Sequence, residues 1–343
     1  MPALNESASV RDRVAAFARD AEALIDAVHQ TVVGQDAALE EILTVLLAGG
    51  HGLLEGVPGT GKTLLVRQLA VASGLEFGRV QFTPDLLPAD ILGCDTLVTS
   101  GMVTSGASAG AESAHRVEFV PGPIFTQFLL ADEINRGTPR TQSALLEAMQ
   151  EGAVTTGGVR HPLDPIFTLF ATRNPIEMEG TYPLPEAQLD RFLLEIHLDP
   201  PGHDDLIEIA ERTTGADSAR APTVIDRARL LAMRADCRNV IAARAVLDFA
   251  ARLIEATQPA GREAPAIVRE GVRYGGGVRA MQSLVLAGKV AALRAGRLHL
   301  SHGDLLRFLA PVLRHRLLLS MDGELRGLTG AEIAAEVALA IKP

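Results

Sequence analysis

The spacing of apolar residues changes character twice along this chain. Val10, Val14, Phe17, Ala21, Leu24, Ile25 and Val28 recur at three- and four-residue steps after Ser9-x-x-Asp12, which predicts one amphipathic helix capped at Ser9. A stripe of about three heptads is short for a coiled coil, so packing on the following domain is the expected role. From about Thr31 to Pro200 short apolar runs alternate with helical patterns, as a parallel sheet with crossover helices requires. Candidate strands are Gly52–Glu55, Arg79–Phe82, Gln127–Ala131, Phe167–Ala171 and Leu193–Leu198. A helix over Thr138–Gln150 has Thr138 as cap, Pro139 in its first turn, and Ala144, Leu145, Ala148 and Met149 on one face. Beyond about Asp204 strand signals stop. Helical periods follow at Val224–Cys237, Ala242–Thr257, Val278–Ala295, Asp304–Leu319 and Glu332–Ile341.

The expected fold class is therefore α/β, a parallel-sheet domain followed by an all-helical one. Its divisions are an N-terminal helix over residues 1–30, a core over 31–203, a helical connector over 204–240 and a helical domain over 241–343. No internal repeat interrupts this order. Thr99–Ala114, rich in Gly, Ser and Ala, reads as a flexible loop, and Pro259–Tyr274 as a second.

With 343 residues, 47% of them hydrophobic, the chain can bury a substantial core. Its 32 basic and 42 acidic residues leave a net charge of −10, which argues against a broad nucleic-acid footprint while allowing a local basic pore. Cys94 and Cys237 are too few and too isolated for a disulfide framework or a C-x-x-C metal site, and read as buried free thiols. No signal-peptide pattern opens the sequence, and no apolar run reaches the roughly 18 residues that a membrane span needs. A cytoplasmic location without membrane insertion is expected by default.

The candidate chemistry centres on Gly56-Val57-Pro58-Gly59-Thr60-Gly61-Lys62-Thr63, a match to the phosphate-loop pattern G-x-x-x-x-G-K-[ST]. Gly52–Glu55 leads in as a strand, and Leu64, Leu65, Val66 and Leu69 lead out at helical spacing towards Gly74. Glycines let backbone N–H groups close around phosphate oxygens, at a helix N-terminus whose dipole favours an anion. Lys62 would bring a cation to the β and γ phosphates, and Thr63 a hydroxyl to Mg²⁺. Lysine is otherwise rare: Lys62, Lys289 and Lys342 are the only three among the 32 basic residues.

Phe128-Leu129-Leu130-Ala131-Asp132-Glu133 is an apolar strand ending in two carboxylates, the Walker B pattern. Alternation along an extended chain would aim them differently, leaving Asp132 to hold Mg²⁺ and Glu133 to polarise the attacking water. Asn174 emerges at the end of the strand Phe167–Ala171. It could orient water against the γ phosphate, or Asn174-Pro175 could simply open a turn; spacing does not choose.

Four longer strings resemble the MoxR family of AAA+ ATPases. They are Gly50-His51-Gly52-Leu53-Leu54-Glu55-Gly56-Val57-Pro58-Gly59, Gln81-Phe82-Thr83-Pro84-Asp85-Leu86-Leu87-Pro88, Ala131-Asp132-Glu133-Ile134-Asn135-Arg136 and the stretch from Gly180 to Phe192. The match is dense from about Val33 to Phe192 and weaker beyond. The resemblance implies an AAA+ P-loop αβα domain with a helical lid, assembled in a ring that is usually hexameric, with ATP at each subunit interface. It gives Asn174 the sensor-1 role, and Val33 and Gly34 a place at the adenine pocket. It makes Arg191 the arginine finger reaching a neighbour's γ phosphate, the alternative being an ion pair with Asp190 or Glu186 in its own subunit. Arg279 aligns with the lid arginine called sensor 2, the alternative being an ordinary helix-surface arginine.

The implied activity is ATP hydrolysis coupled to chaperone-like remodelling of a protein client, with a partner carrying a von Willebrand factor A domain. A magnesium-chelatase-like or nucleic-acid motor and a slow nucleotide-gated scaffold are the rival classes; the negative charge and the lack of an aromatic or basic stripe count against the motor. Three departures from the family pattern stand out. Gly-Gly-Val precedes Arg279, Arg173 replaces a usual glutamine before Asn174, and Thr99–Ala114 is unusually rich in Gly and Ser where the family projects a segment towards the ring pore.

Overall fold

A computed structural model describes residues 3–99, 115–175, 180–214 and 220–342. Their eleven strands are β1 (Gly52–Glu55), β2 (Phe77–Gln81), β3 (Gly93–Thr99), β4 (His115–Pro121), β5 (Phe128–Asp132), β6 (Ala153–Thr156), β7 (Val159–Pro162), β8 (Thr168–Arg173), β9 (Leu194–His197), β10 (Val272–Tyr274) and β11 (Leu318–Leu319). Five of them form one sheet in the order β2-β5-β8-β1-β9, with every pairing parallel. These match the five strands read from the sequence. All five residues of β5 are buried, as in a parallel strand covered on both faces. Phe128 and Phe170 stack across β5 and β8 at 5.3 Å.

One hydrophobic cluster runs from the N-terminal helix Ala3–His29 across one sheet face into the C-terminal helices. Phe17, Leu24 and Val28 are completely buried in it, so the helix packs within its own chain. A second cluster, around Phe82, Leu145, Leu169 and Phe192, fills the opposite face. The helix continues through Ser9, which therefore is not its cap: no Pro or Gly lies between Ala3 and Val10 to stop it.

Two antiparallel hairpins, β3–β4 and β6–β7, stand outside the sheet. Phe119 of β4 stacks on His161 of β7 at 3.9 Å and joins them. The loop expected over Thr99–Ala114 lies outside the described residues, except that Thr99 ends β3.

The C-terminal part is helical, as read, with one short ribbon added. The expected loop Pro259–Tyr274 instead contains the helix Ala266–Gly271 and strand β10. β10 pairs with β11, and this pairing draws Leu318 and Leu319 out of the helix expected to reach them; that helix spans His302–Leu313. Leu-rich runs satisfy either period, and here the strand partner decides. Cys237 is buried, and burial pushes its thiol up to about 12, whereas Cys94 is exposed, contrary to expectation. Among the described residues no helix is long and apolar enough to cross a membrane.

Candidate functional site

The order β2-β5-β8-β1-β9 sets the carboxyl ends of β5, β8 and β1 side by side, and open α/β sheets bind ligands at that edge. β1 runs into the glycine loop. Gly59 and Gly61 take φ of +87° and +84°, and a Cβ at either would meet no atom within 4 Å. Backbone angle, not crowding, demands glycine there. Gly61 caps the helix Lys62–Ala72 without any side-chain cap, so the N–H groups of its first turn are left to a ligand. Loop residues Pro58–Leu64, with Asp132, Glu133, Thr172, Arg173 and Asn174, line a cavity of about 420 Å³. The Lys62 ammonium donates to the carbonyls of Gly56 and Val57, the latter at 2.9 Å. Burial lowers its pKa, while Asp132, Glu133 and Glu55 pull the other way.

Asp132 ends β5 with its side chain only 11% exposed. The Thr172 hydroxyl donates to its Oδ1 at 2.6 Å, and Arg79 donates to its Oδ2 at 2.6 Å and 3.1 Å. Strand alternation does not separate the two carboxylates as expected. Glu133 lies beyond the strand in a left-handed turn, φ 53° and ψ 50°, a conformation that costs a non-glycine residue and persists where neighbours enforce it. Thr172 supplies one such constraint, accepting the Glu133 N–H at 2.8 Å. The Glu133 carboxylate accepts from Gln81 at 2.9 Å and from Arg136 at 3.1 Å.

Parallel register sets Ala131 opposite Ala171, so the segment Thr172–Asn174 emerges beside Asp132 and Glu133. Asn174 is buried and borders the same cavity. Arg173 lines the cavity too, with its guanidinium tied to Glu55 and, at 3.0 Å, to Glu195, which also binds His197 at 2.8 Å. Glu55, Glu195 and His197 are close enough to share a metal ion, but the guanidinium already spans both carboxylates.

A second cavity of about 160 Å³ adjoins the first through Gly59, Thr60, Gly61 and Leu64, and is walled by Val32, Val33, Gln35, Pro201 and Ile209. This mostly apolar slot beside a phosphate loop suits a flat heterocyclic base. Gly34, at φ +65°, turns the chain there, and the Gln35 side chain donates to the Asp199 carbonyl at 2.7 Å.

Arg191 and Arg279 border neither cavity. Arg191 donates to the Leu146 carbonyl at 3.2 Å, and its buried Nε has no partner. The alternative ion pair with Asp190 or Glu186 does not form. Asp190 pairs instead with Arg316 at 2.9 Å and, more loosely, with Arg279 at 3.8 Å.

The residues read from the sequence for the phosphate loop, Asp132, Glu133 and Asn174 thus converge on one cavity, and Val33 borders the next. Sequence reasoning missed Arg79, Gln81 and Thr172. Gln81 stood within a family-like string and was a visible signal, whereas nothing along a buried strand marks Thr172.

The donor set fits a magnesium-bound polyphosphate: helix N–H groups and an ammonium for phosphate, with a hydroxyl and a carboxylate as hard oxygen ligands. Comparison with known proteins gives the family. The family described as ATPase family associated with various cellular activities (AAA) matches residues 51–194, and the AAA lid domain matches residues 264–337. Chaperone MoxR1 of Mycobacterium tuberculosis is 38% identical over 309 residues, covering 90% of this chain and 78% of that protein. Protein MoxR of Paracoccus denitrificans is 33% identical over 322 residues, covering 88% of each. A crystal structure of a candidate ATPase from Cytophaga hutchinsonii superposes with a TM-score of 0.88 at 33% identity, covering 98% of each chain.

Proposed function

Since the chain belongs to the MoxR family of AAA-type ATPases, we propose that it hydrolyses ATP between adjoining copies of itself and uses the cycle to remodel a protein client. The observation that carries this reading is the single cavity in which the phosphate loop faces Asp132, Glu133 and Asn174. Lys62 and the helix N-terminus hold the β and γ phosphates, and the apolar slot at Val33 takes the adenine. Thr63 and Asp132 would hold Mg²⁺, which when bound neutralises charge on the phosphate oxygens. Glu133 accepts a proton from the attacking water, and Asn174 orients that water.

Arg191 and Arg279 do not line their own subunit's cavity; Arg279 pairs loosely with Asp190, the residue before Arg191. Their placement supports action on a neighbour, where a guanidinium stabilises the transferring phosphoryl group. The family resemblance supports a ring, usually of six copies, as the assembly in which they would do so. The client is a protein, and the family resemblance favours one joined to a von Willebrand factor A domain.

Glu133→Gln tests the chemistry: ATP affinity stays near wild type while turnover falls by about 10²- to 10⁴-fold. Hydrolysis at the wild-type rate would remove Glu133 as base. Mixing tests the interface. Arg191→Ala alone is inactive, and adding Glu133→Gln subunits, whose Arg191 is intact, restores turnover; absence of rescue confines Arg191 to its own chain.

A further inference from the structure

β2 is the edge strand next to β5, in a register that sets Gln81 opposite Asp132 and Arg79 opposite Leu130. Residues two apart in a strand share a face, and Arg79 and Gln81 both reach the β5 terminus. The Arg79 guanidinium donates to Asp132 Oδ2 from Nη2 at 2.6 Å and from Nε at 3.1 Å. The same Nη2 donates to Gln81 Oε1 at 2.8 Å, and Gln81 Nε2 donates to Glu133 Oε2 at 2.9 Å. A single polar chain therefore links the carboxylate assigned to the cation with the carboxylate assigned to water.

This chain sets up a competition. Asp132 Oδ1 is committed to Thr172, a completely buried hydroxyl that also receives the Glu133 N–H. Arg79 takes Oδ2 with two hydrogen bonds, so a cation placed on Asp132 meets the guanidinium charge on the same carboxylate. The two partners differ in freedom: the Arg79 side chain is 48% exposed and the Asp132 side chain 11%. The arginine can swing into solvent; the aspartate cannot. A divalent ion brings twice the charge to the same carboxylate, so it wins where it is also bound by phosphate.

We propose that Arg79 is an internal counter-ion that competes with the divalent cation for Asp132 and gives way when the cation binds. The proposal rests on the ATPase reading of the site. Arg79 is a positioning residue in this scheme, because it acts through Asp132 and does not line the phosphate-loop cavity.

The test uses the full-length protein saturated with a non-hydrolysable ATP analogue and titrated with Mn²⁺, free ion being followed by electron paramagnetic resonance. Arg79→Gln binds Mn²⁺ about five- to tenfold more tightly than wild type, because a competing charge is gone. Arg79→Lys retains the charge and stays within about twofold of wild type. Gln81→Ala, which leaves Arg79 on Asp132, also leaves Mn²⁺ affinity unchanged. Equal or weaker Mn²⁺ binding by Arg79→Gln, with metal-free analogue affinity as in wild type, overturns the proposal, as does tightening by Arg79→Lys equal to that of Arg79→Gln. If Arg79→Gln fails to fold, the wild-type Arg79 Nε–H resonance decides: it shifts and exchanges faster with solvent when Mg²⁺ is added to the analogue complex, and an unmoved signal rejects displacement. Failure of wild type to bind Mn²⁺ with the analogue would instead remove the ATPase reading itself.

Discussion

Thr172 shows how much a single hydroxyl can organise. It donates to Asp132 at 2.6 Å and accepts from the Glu133 N–H at 2.8 Å, so it fixes the carboxylate on one side and the left-handed turn on the other. Thr172→Val keeps the shape but leaves a buried N–H without an acceptor, a loss of about 1–3 kcal/mol in a denaturant titration. Turnover falls as well, because Glu133 loses its anchor; unchanged stability and rate would mean that the turn is held elsewhere. Lys62, Asp132 and Glu133 were legible in the sequence, since each lies in a short string whose order the chemistry dictates, whereas Asn174 was left open by spacing and drawn to the site only by the family resemblance. Thr172 was not assigned. A threonine in a buried strand satisfies β propensity, and only the neighbouring strand shows that its hydroxyl has two partners.

Elements were legible where period and neighbours agreed. The five sheet strands and the helix Pro139–Glu151 match because their patterns admit one reading. The misplaced ends, at Ser9 and at Leu319, are positions where local pattern allowed two structures and packing chose. Helix Asp36–Ala48 carries a consequence for pH. Glu41 sits on it with its side chain 16% exposed, 3.7 Å from Arg314, and burial raises its pKa to about 7 against the opposing pull of Arg314 and His197. In the unfolded chain the same carboxyl titrates near 4.5. Between these values the native state binds the extra proton, so stability contributed by neutral Glu41 is full below about pH 4.5 and is lost as pH rises towards 7. Relative to Glu41→Gln, the wild type loses about 2 kcal/mol between pH 5 and 7.5. Parallel pH profiles for the two proteins would show that Glu41 ionises normally.

Over the whole molecule, charge is segregated along the chain. Residues 31–203 carry 21 acidic and 9 basic side chains, whereas residues 241–343 carry 9 acidic and 14 basic. Charges of opposite sign on the two parts would favour head-to-tail association of copies in the proposed assembly. Self-association measured by sedimentation then weakens as salt is raised from 50 mM to 500 mM, conditions that shorten the Debye length from about 14 Å to about 4 Å. Assembly that is indifferent or strengthened would point to an apolar contact instead. Arg316 ties these parts together inside one chain: its buried guanidinium binds Asp190 and the carbonyls of Phe192 and Leu193, next to Arg191.

What the sequence determined by itself is whatever local order can encode: the strands and helices of the core, the glycine loop that must turn at positive φ, and the acidic pair at a strand end. Period and steric allowance act over a few residues and need no partner. Tertiary structure alone decided that Arg79 and Gln81 engage the two carboxylates, that Arg173 is spent on Glu55 and Glu195, and that Arg191 and Arg279 fall outside the phosphate cavity. A charged side chain has many partners within reach of its flexible stem. Which one it meets depends on strand order and register, set by the packing of the whole chain.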